Sequence, residues 1–239
     1  MKIPKQAMIL AAGLGKRMRP LTDNIPKPMI EVGGKTIIDH AIDRLCEINI
    51  EKIVINTSYK AEIIEEHLSK RKFPEIIFSR EEEPLETGGG IAKALHNFGN
   101  ENFFCVNGDV IWFDNGNNAL HRLAESINNN LDAVLLLHPK ESAIGYEGQG
   151  DFFCDESGVL QRRESNEEAP FIYTGIQILN PRLFCDSPKG AFSLNILYNK
   201  AISHNTPRIK GIIHQGDLLN VGDVRGKILA EEYMVGFKL

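Results

Sequence analysis

The chain has 239 residues, 42% of them hydrophobic and 25% charged, with a formal net charge of −5. That balance suits a globular protein with a sizeable core and excludes collagen-like repeats and wholesale disorder. No apolar run reaches the ~18 residues of a membrane span, and the N-terminal apolar stretch is too short for a signal peptide. The acidic balance argues against a general grip on nucleic acid or an anionic membrane, so any bound anion needs a local site. Cys46, Cys105, Cys154 and Cys185 lie far apart, without a C-x-x-C pair or cysteine–histidine metal spacing. Cys46, Cys105 and Cys185 sit in apolar surroundings and read as buried reduced thiols, which points to a cytoplasmic protein.

In chain order the first half alternates strand and helix. Gln6–Leu10 is a short apolar run, and Ile37–Ile48 carries apolar residues at a helical period. Lys52–Asn56 reads as strand, Ala61–Leu68 as helix, Glu75–Phe78 as strand and Ile91–Phe98 as helix. Asn102–Asn107 is a buried strand, Leu120–Ile127 a helix and Asp132–Leu137 a further strand. Strands that are apolar throughout suit a parallel sheet covered on both faces, and the β-α rhythm predicts a doubly wound, mainly parallel, Rossmann-like α/β fold. After His138 the rhythm changes. Asp151–Cys154, Val159–Arg163 and Phe171–Leu179 predict a small antiparallel lobe, Ser193–Ser203 a helix, Ile209–His214 a strand and Val224–Met234 a closing helix. Without a linker or an internal repeat, a single domain over 1–239 is expected. Its parts are an α/β part at about 1–137, a substrate-binding lobe at about 138–222 and a closing helix at about 223–234.

The strongest local signal is LAAGLGKRMRPLT at 10–22, followed by IPKPMI at 25–30. It starts where the first strand ends, and the carboxyl ends of strands are where open α/β sheets bind ligands. Gly13 and Gly15 let the backbone approach a phosphate, and Lys16, Arg17, Arg19 and Lys27 cluster four cations in an acidic chain. A dinucleotide fingerprint fails at Met18, where a third glycine is needed, and a P-loop ending at Gly34-Lys35-Thr36 fails at Met29. Asp109 ends an apolar strand, where a lone carboxylate needs a partner. No histidine pair has zinc spacing, and His138 reads as a structural histidine at a strand end.

The block from Leu10 to Pro28 matches every fixed position of the sugar-1-phosphate nucleotidylyltransferase signature, which the chain resembles over nearly its whole length. Glu86-Thr-Gly-Gly-Gly-Ile91 is similar to the family's glycine loop beside the base, Asn107-Gly-Asp109 to its metal-binding strand end, Tyr173–Ile176 to its sugar-pocket strand and Asn220-Val-Gly222 to its final metal loop. The short form, without a C-terminal β-helix, is most similar to the branch that uridylylates N-acetylmuramate 1-phosphate. The resemblance implies transfer of a nucleotidyl group from a nucleoside triphosphate, UTP in that branch, to a sugar 1-phosphate, with Mg²⁺ as cofactor and pyrophosphate as product; no protein partner is evident in the sequence. Guanylyl transfer to mannose 1-phosphate is the alternative within the family, and a non-catalytic sugar-nucleotide-binding relative is the alternative of another class.

The same resemblance implies catalytic roles for Arg17, Lys27 and Asp109. It places the nucleotide on Leu10, Ala11, Ala12, Gly13, Gly15, Arg17, Lys27, Gly88 and Gly89, the sugar on Asn107, Gly150, Asp151, Thr174 and Gly175, and the metal on Asp109 and Asn220. Asn220 stands where relatives carry aspartate, which leaves a neutral carboxamide oxygen as the second ligand. The lysine that grips the sugar phosphate in some relatives has no counterpart here, and Arg162 or Arg163 lies in the corresponding stretch.

Overall fold

The computed structural model of the protein describes residues 3–204 and 206–236. In chain order the elements are β1 (Gln6–Leu10), the short hairpin β2 (Glu31–Val32) and β3 (Lys35–Thr36), α1 (Ile37–Glu47), β4 (Lys52–Thr57), α2 (Ala61–Leu68), β5 (Glu75–Arg80), α3 (Glu86–Ala94), β6 (Phe103–Asn107) and β7 (Val110–Asp114). There follow α4 (Ala119–Ser126), β8 (Ala133–Pro139), β9 (Phe152–Cys154), β10 (Leu160–Arg162), β11 (Phe171–Leu179), α5 (Asn195–Ile202), β12 (Ile209–Ile213), β13 (Gly216–Asn220) and α6 (Val224–Gly236). None of the helices is long and apolar enough to cross a membrane.

A nine-stranded sheet runs β10-β9-β11-β6-β1-β4-β5, with β8 paired to β11 and β12 to β8. β6, β1, β4 and β5 are parallel, while β11 is antiparallel to both β6 and β8. The antiparallel segments thus extend the main sheet. Side chains alternate between its faces, as the pleat requires. Ala7, Ile9, Ile53, Ile55, Phe104 and Val106 pack with α1, α2 and α4 on one face, whereas Met8, Val54, Phe103 and Cys105 pack with α3 and α5 on the other. Both faces are buried, which is why these strands read as unbroken apolar runs.

Two features depart from the expected elements. α3 begins at Glu86, so Gly88-Gly89-Gly90 is helical and not a loop. The β7–β13 pair forms a separate two-stranded ribbon. Ile111, Leu219 and Val221 join Met18, Ile30, Val32, Ile37 and Ala230 in a third apolar cluster beneath the 10–30 loop. That cluster fixes the loop against the closing helix, because Met18 and Val32 are wholly buried in it.

Of the thiols expected to be buried, Cys105 is, and burial pushes its pKa up to about 12. Cys46 is only partly covered, and Cys185 is exposed because it follows the short turn Pro181–Phe184 at the surface.

Candidate active site

The carboxyl ends of β1, β4 and β6 open into a cavity of about 250 Å³, bordered by Leu10–Leu14, Lys27, Pro28, Asn56, Glu81, Glu86, Thr87 and Asn107–Asp109. The loop after β1 is shaped by glycine at one point. Gly15 adopts φ +60°, and a Cβ there would stand 2.9 Å from the Thr22 methyl. Its carbonyl accepts from the Met18 amide at 2.9 Å and the Thr22 hydroxyl at 2.8 Å, closing the turn. Tyr59 donates from its hydroxyl to the Thr22 and Asp23 carbonyls and ties the loop to the body of the fold.

Lys27 is held on a short helical turn between Pro26 and Pro28 and is 9% exposed. Its ammonium donates to Asp109 Oδ2 at 2.8 Å and to the Gly222 carbonyl at 3.2 Å. Asp109 is placed by the turn between β6 and β7: the Gly108 amide donates to the Leu10 carbonyl at 2.9 Å, and the Val221 amide to the Asp109 carbonyl at 3.1 Å. Asn220 pairs with Val110 at the end of the β7–β13 ribbon, the residue next to Asp109 in the chain. The Asn220 Oδ1 accepts the Gly222 amide at 2.9 Å, and Gly145 and Gly226 pack so closely that a Cβ on either would lie 2.6 or 2.3 Å from the Asn220 carbonyl. The exposed Arg17 guanidinium lies over this turn, 3.7 Å from where a Cβ on Gly222 would stand. Arg17, Lys27, Asp109 and Asn220, more than 200 residues apart in sequence at the extremes, therefore gather around the Gly222 turn, with Lys27 and Asp109 bordering the cavity.

Other expected site residues take different places. Gly88 and Gly89 lie behind the cavity, because both amides donate to the Phe192 carbonyl, at 2.9 and 3.1 Å. A Cβ on Gly88 would stand 2.3 Å from the Phe192 ring, and one on Gly89 2.4 Å from the Gly190 carbonyl. These glycines permit packing; Glu86 and Thr87 are the residues that face the cavity. Gly150 is likewise consumed by structure, its amide donating to the Tyr146 hydroxyl at 3.1 Å and its carbonyl accepting Arg163 Nε at 2.8 Å. Thr174 turns its hydroxyl to the Leu136 carbonyl at 2.8 Å and is buried. Gly175, at φ +81°, lets the Asn107 side chain lie against β11. Asp151 accepts the Tyr173 amide on Oδ2 at 2.9 Å. Arg163 is occupied by the backbone carbonyls of Gly150, Glu164, Ser165 and Glu167, so it has no reach toward a sugar phosphate.

Asn56 and Glu81 are two cavity residues that sequence reasoning passes over. Asn56 Oδ1 accepts the Ala11 amide at 2.8 Å, and its Nδ2 donates to Glu81 Oε1 at 2.7 Å. Glu81 Oε2 accepts the Leu85 amide at 2.9 Å. Gly90 makes room for both side chains, since a Cβ there would approach each within 2.7 Å. The available signal was a polar residue near the carboxyl end of an apolar strand for Asn56, while Glu81 sits just past β5 in the polar run 79–83 and carries no signal of its own.

His138 lies outside the cavity. It is 2% exposed, neither ring nitrogen has a partner among the described residues, and the His214 ring stands edge-on with centroids 5.5 Å apart. Burial, reinforced by His214 and opposed by the Asp217 charge, lowers its pKa to about 4. An unfolded histidine titrates near 6.5, so the unfolded chain binds the extra proton first, and stability is lost as pH falls from about 6.5 to about 4. Melting temperature followed across that window is expected to decline, with a shallower slope in His138→Leu. Equal slopes would show that other groups dominate.

The nucleotidyl transferase family profile matches residues 6–149. The chain is 38% identical to the N-acetylmuramate alpha-1-phosphate uridylyltransferase of Caulobacter vibrioides, over 95% of this chain and 96% of that protein. It is 35% identical to the protein of the same name from Neisseria meningitidis serogroup B, over 92% and 94% of the two chains. A putative glucose-1-phosphate thymidylyltransferase from Bacillus anthracis has the same fold, with a TM-score of 0.80 at 18% identity, covering 96% of this chain and 95% of the other. A signature loop after β1 and full-length likeness to two uridylyltransferases together place this chain in the nucleotidyl transferase family.

Proposed function

We propose that the protein transfers UMP from UTP to N-acetylmuramate 1-phosphate, with release of pyrophosphate. The observation that carries the reaction is the Lys27–Asp109 pair at the end of a nucleoside-sized cavity; the choice of substrates rests on the two full-length relatives. A sugar 1-phosphate oxygen forms a bond to the α-phosphorus of UTP as the bond to the pyrophosphate oxygen breaks, and no nucleophilic side chain is required. Two polyanions must meet, and at an effective dielectric near 20 each pair of unit charges 4 Å apart repels by about 4 kcal/mol. Fixed cations therefore supply most of what the protein contributes. Lys27 sits where the reacting phosphates converge, and Arg17 stands over the Gly222 turn to take charge on the leaving pyrophosphate. Leu10–Ala12 form the floor beneath the nucleoside, and the Glu81 carboxylate, held rigid by Asn56 and the Leu85 amide, is an acceptor for a base N–H. Asn107, beside Gly175, and Asp151 face the sugar.

The donor set fits Mg²⁺: Asp109 and Asn220 offer two hard oxygens at the same 221–222 turn, and magnesium takes one or two protein ligands with the remainder from water and phosphate. Bound there, the ion would supply neutralisation of the phosphate charge. Because the Asn220 Oδ1 already accepts the Gly222 amide, an aspartate keeps that bond and adds a charge. Asn220→Asp is expected to lower the Mg²⁺ concentration for half-maximal rate several-fold, and Asn220→Ala to raise it. The same Mg²⁺ dependence in both variants and the parent would put Asn220 outside the metal site. The reading itself is tested by pyrophosphate release with UTP, GTP, CTP and dTTP against N-acetylmuramate 1-phosphate, mannose 1-phosphate and glucose 1-phosphate. Preference for GTP with mannose 1-phosphate would replace it, and absence of turnover with every pair would point to a binding protein.

A further inference from the structure

Arg162 is a cation that forms no ion pair among the described residues. Its Nε donates to Asn199 Oδ1 at 2.9 Å and its Nη2 to Asn195 Oδ1, both neutral carboxamides on α5. Its guanidinium lies over the Phe152 ring, 4.5 Å from the centroid. No carboxylate among the described residues comes within ion-pairing distance, although two carboxamides and an aromatic ring hold the side chain in place. Burial lowers its pKa from the usual arginine value, and the more distant Asp151 charge only partly opposes this. A guanidinium fixed at this cost by neutral groups is prepared for an anion that arrives with a ligand.

Its place in the sheet says which part of a ligand that is. Arg162 lies directly across from Phe152, which lies across from Phe171. Phe171 and Tyr173 face the same side of the sheet as Leu10 and Cys105, and Asn107, two residues beyond Cys105, shares that side. From β6 to β9, over which the guanidinium folds back, is two strand spacings across the sheet, about 10 Å. Phe152 pairs four residues along β11 from Gly175, so the guanidinium lies beyond the far end of a sugar ring held at Asn107. The chain of contacts from the cavity runs the same way: the Leu194 amide donates to Thr87 Oγ1 at 3.0 Å, and Asn195 follows. A sugar whose phosphate meets Lys27 and whose ring lies on Asn107 and Gly175 therefore points its far substituents at Arg162. N-acetylmuramate differs from N-acetylglucosamine by a lactyl ether that carries a carboxylate.

We propose that Arg162 receives the carboxylate of an acidic sugar 1-phosphate and so selects that sugar over its neutral parent. This rests on the uridylyltransferase reading above and adds a residue that decides the substrate. The fork of the guanidinium matches a carboxylate, and Phe152 and the two asparagines hold it in a preorganised position. Asp151 accepts from the Tyr173 amide between this point and the ring, and so repels an anion placed closer in.

The test compares kcat/KM for UTP with N-acetylmuramate 1-phosphate against N-acetylglucosamine 1-phosphate. Arg162→Gln is expected to reduce the ratio of the two by about 10- to 100-fold, the range for a lost hydrogen bond to a charged group. Arg162→Lys should recover part of it, since lysine restores charge without the fork. A second measurement needs no variant: the unaltered protein should discriminate against the methyl ester of the lactyl group by a similar factor. An unchanged ratio in Arg162→Gln, with both values falling together, would mean that Arg162 only braces α5 against β10. Equal use of acid and ester by the unaltered protein overturns the proposal as well. Transfer of UMP to neither sugar would instead overturn the reading on which the proposal stands, which is a distinguishable result.

Discussion

Replacing Lys27 with methionine is expected to lower kcat by about 100- to 1,000-fold, the usual loss when one preorganised donor is taken from developing charge. Methionine keeps much of the stem and removes only the ammonium. The local fold has other supports, because the turn at 27–29 is closed by the Met29 amide on the Pro26 carbonyl at 2.9 Å and by the Ile30 amide on the Lys27 carbonyl at 3.0 Å. The carboxylate left behind on Asp109 is 35% exposed at its side chain, so water can take over some of its solvation. Turnover should therefore fall far more than melting temperature. Arg17→Ala, exposed and without structural duty, should show the same split in smaller measure. Pyrophosphate release at saturating UTP, with thermal melts of the same samples, checks both variants. Near-parental rates in correctly folded protein would place the reacting phosphates elsewhere.

The residues that carry this expectation were legible because local patterns bear on them. The run Gln6–Leu10 stops in glycine and cations, and β1 ends at Leu10 as that pattern says. α2 over Ala61–Leu68 and β11 over Phe171–Leu179 match their hydrophobic patterns to the residue. What escaped has long-range causes. Three consecutive glycines weigh against a helix by about 1 kcal/mol each. α3 forms nonetheless, because Phe192, Gly190 and the Asn56–Glu81 pair press on it so closely that no Cβ fits. β7 was hidden because its partner β13 lies about a hundred residues away, and neither forms part of the main sheet. Asn56 and Glu81 lie among other polar residues near the ends of β4 and β5, and only the folded chain shows that they bond to one another. Arg163 and Gly150 look like ligand contacts in sequence and turn out to bond to each other, which no spacing rule anticipates.

Asp109→Asn is expected to abolish Mg²⁺-dependent turnover, since it leaves two neutral carboxamides, at 109 and 220, where the parent has one carboxylate. Hard divalent cations depend on charged oxygen for much of their affinity, so raising Mg²⁺ should restore little. The substitution is nearly isosteric, and the Val221 amide bonds to the main-chain carbonyl at 109, which is unaltered. Its structural cost lies with Lys27, whose side chain is 11% exposed and would keep only the Gly222 carbonyl as a partner. Removing one member of a buried pair leaves a charge poorly solvated, whereas removing both does not. The double variant Lys27→Met/Asp109→Asn is accordingly expected to melt higher than Asp109→Asn alone while remaining inactive. That non-additivity separates the two contributions of the pair: stability follows the balance of charge between residues 27 and 109, and turnover requires both charges to be present. A double variant melting lower than either single variant would mean that Lys27 and Asp109 support the fold independently. Asp109→Asn retaining most of its activity at low Mg²⁺ would reduce Asp109 to a turn residue between β6 and β7.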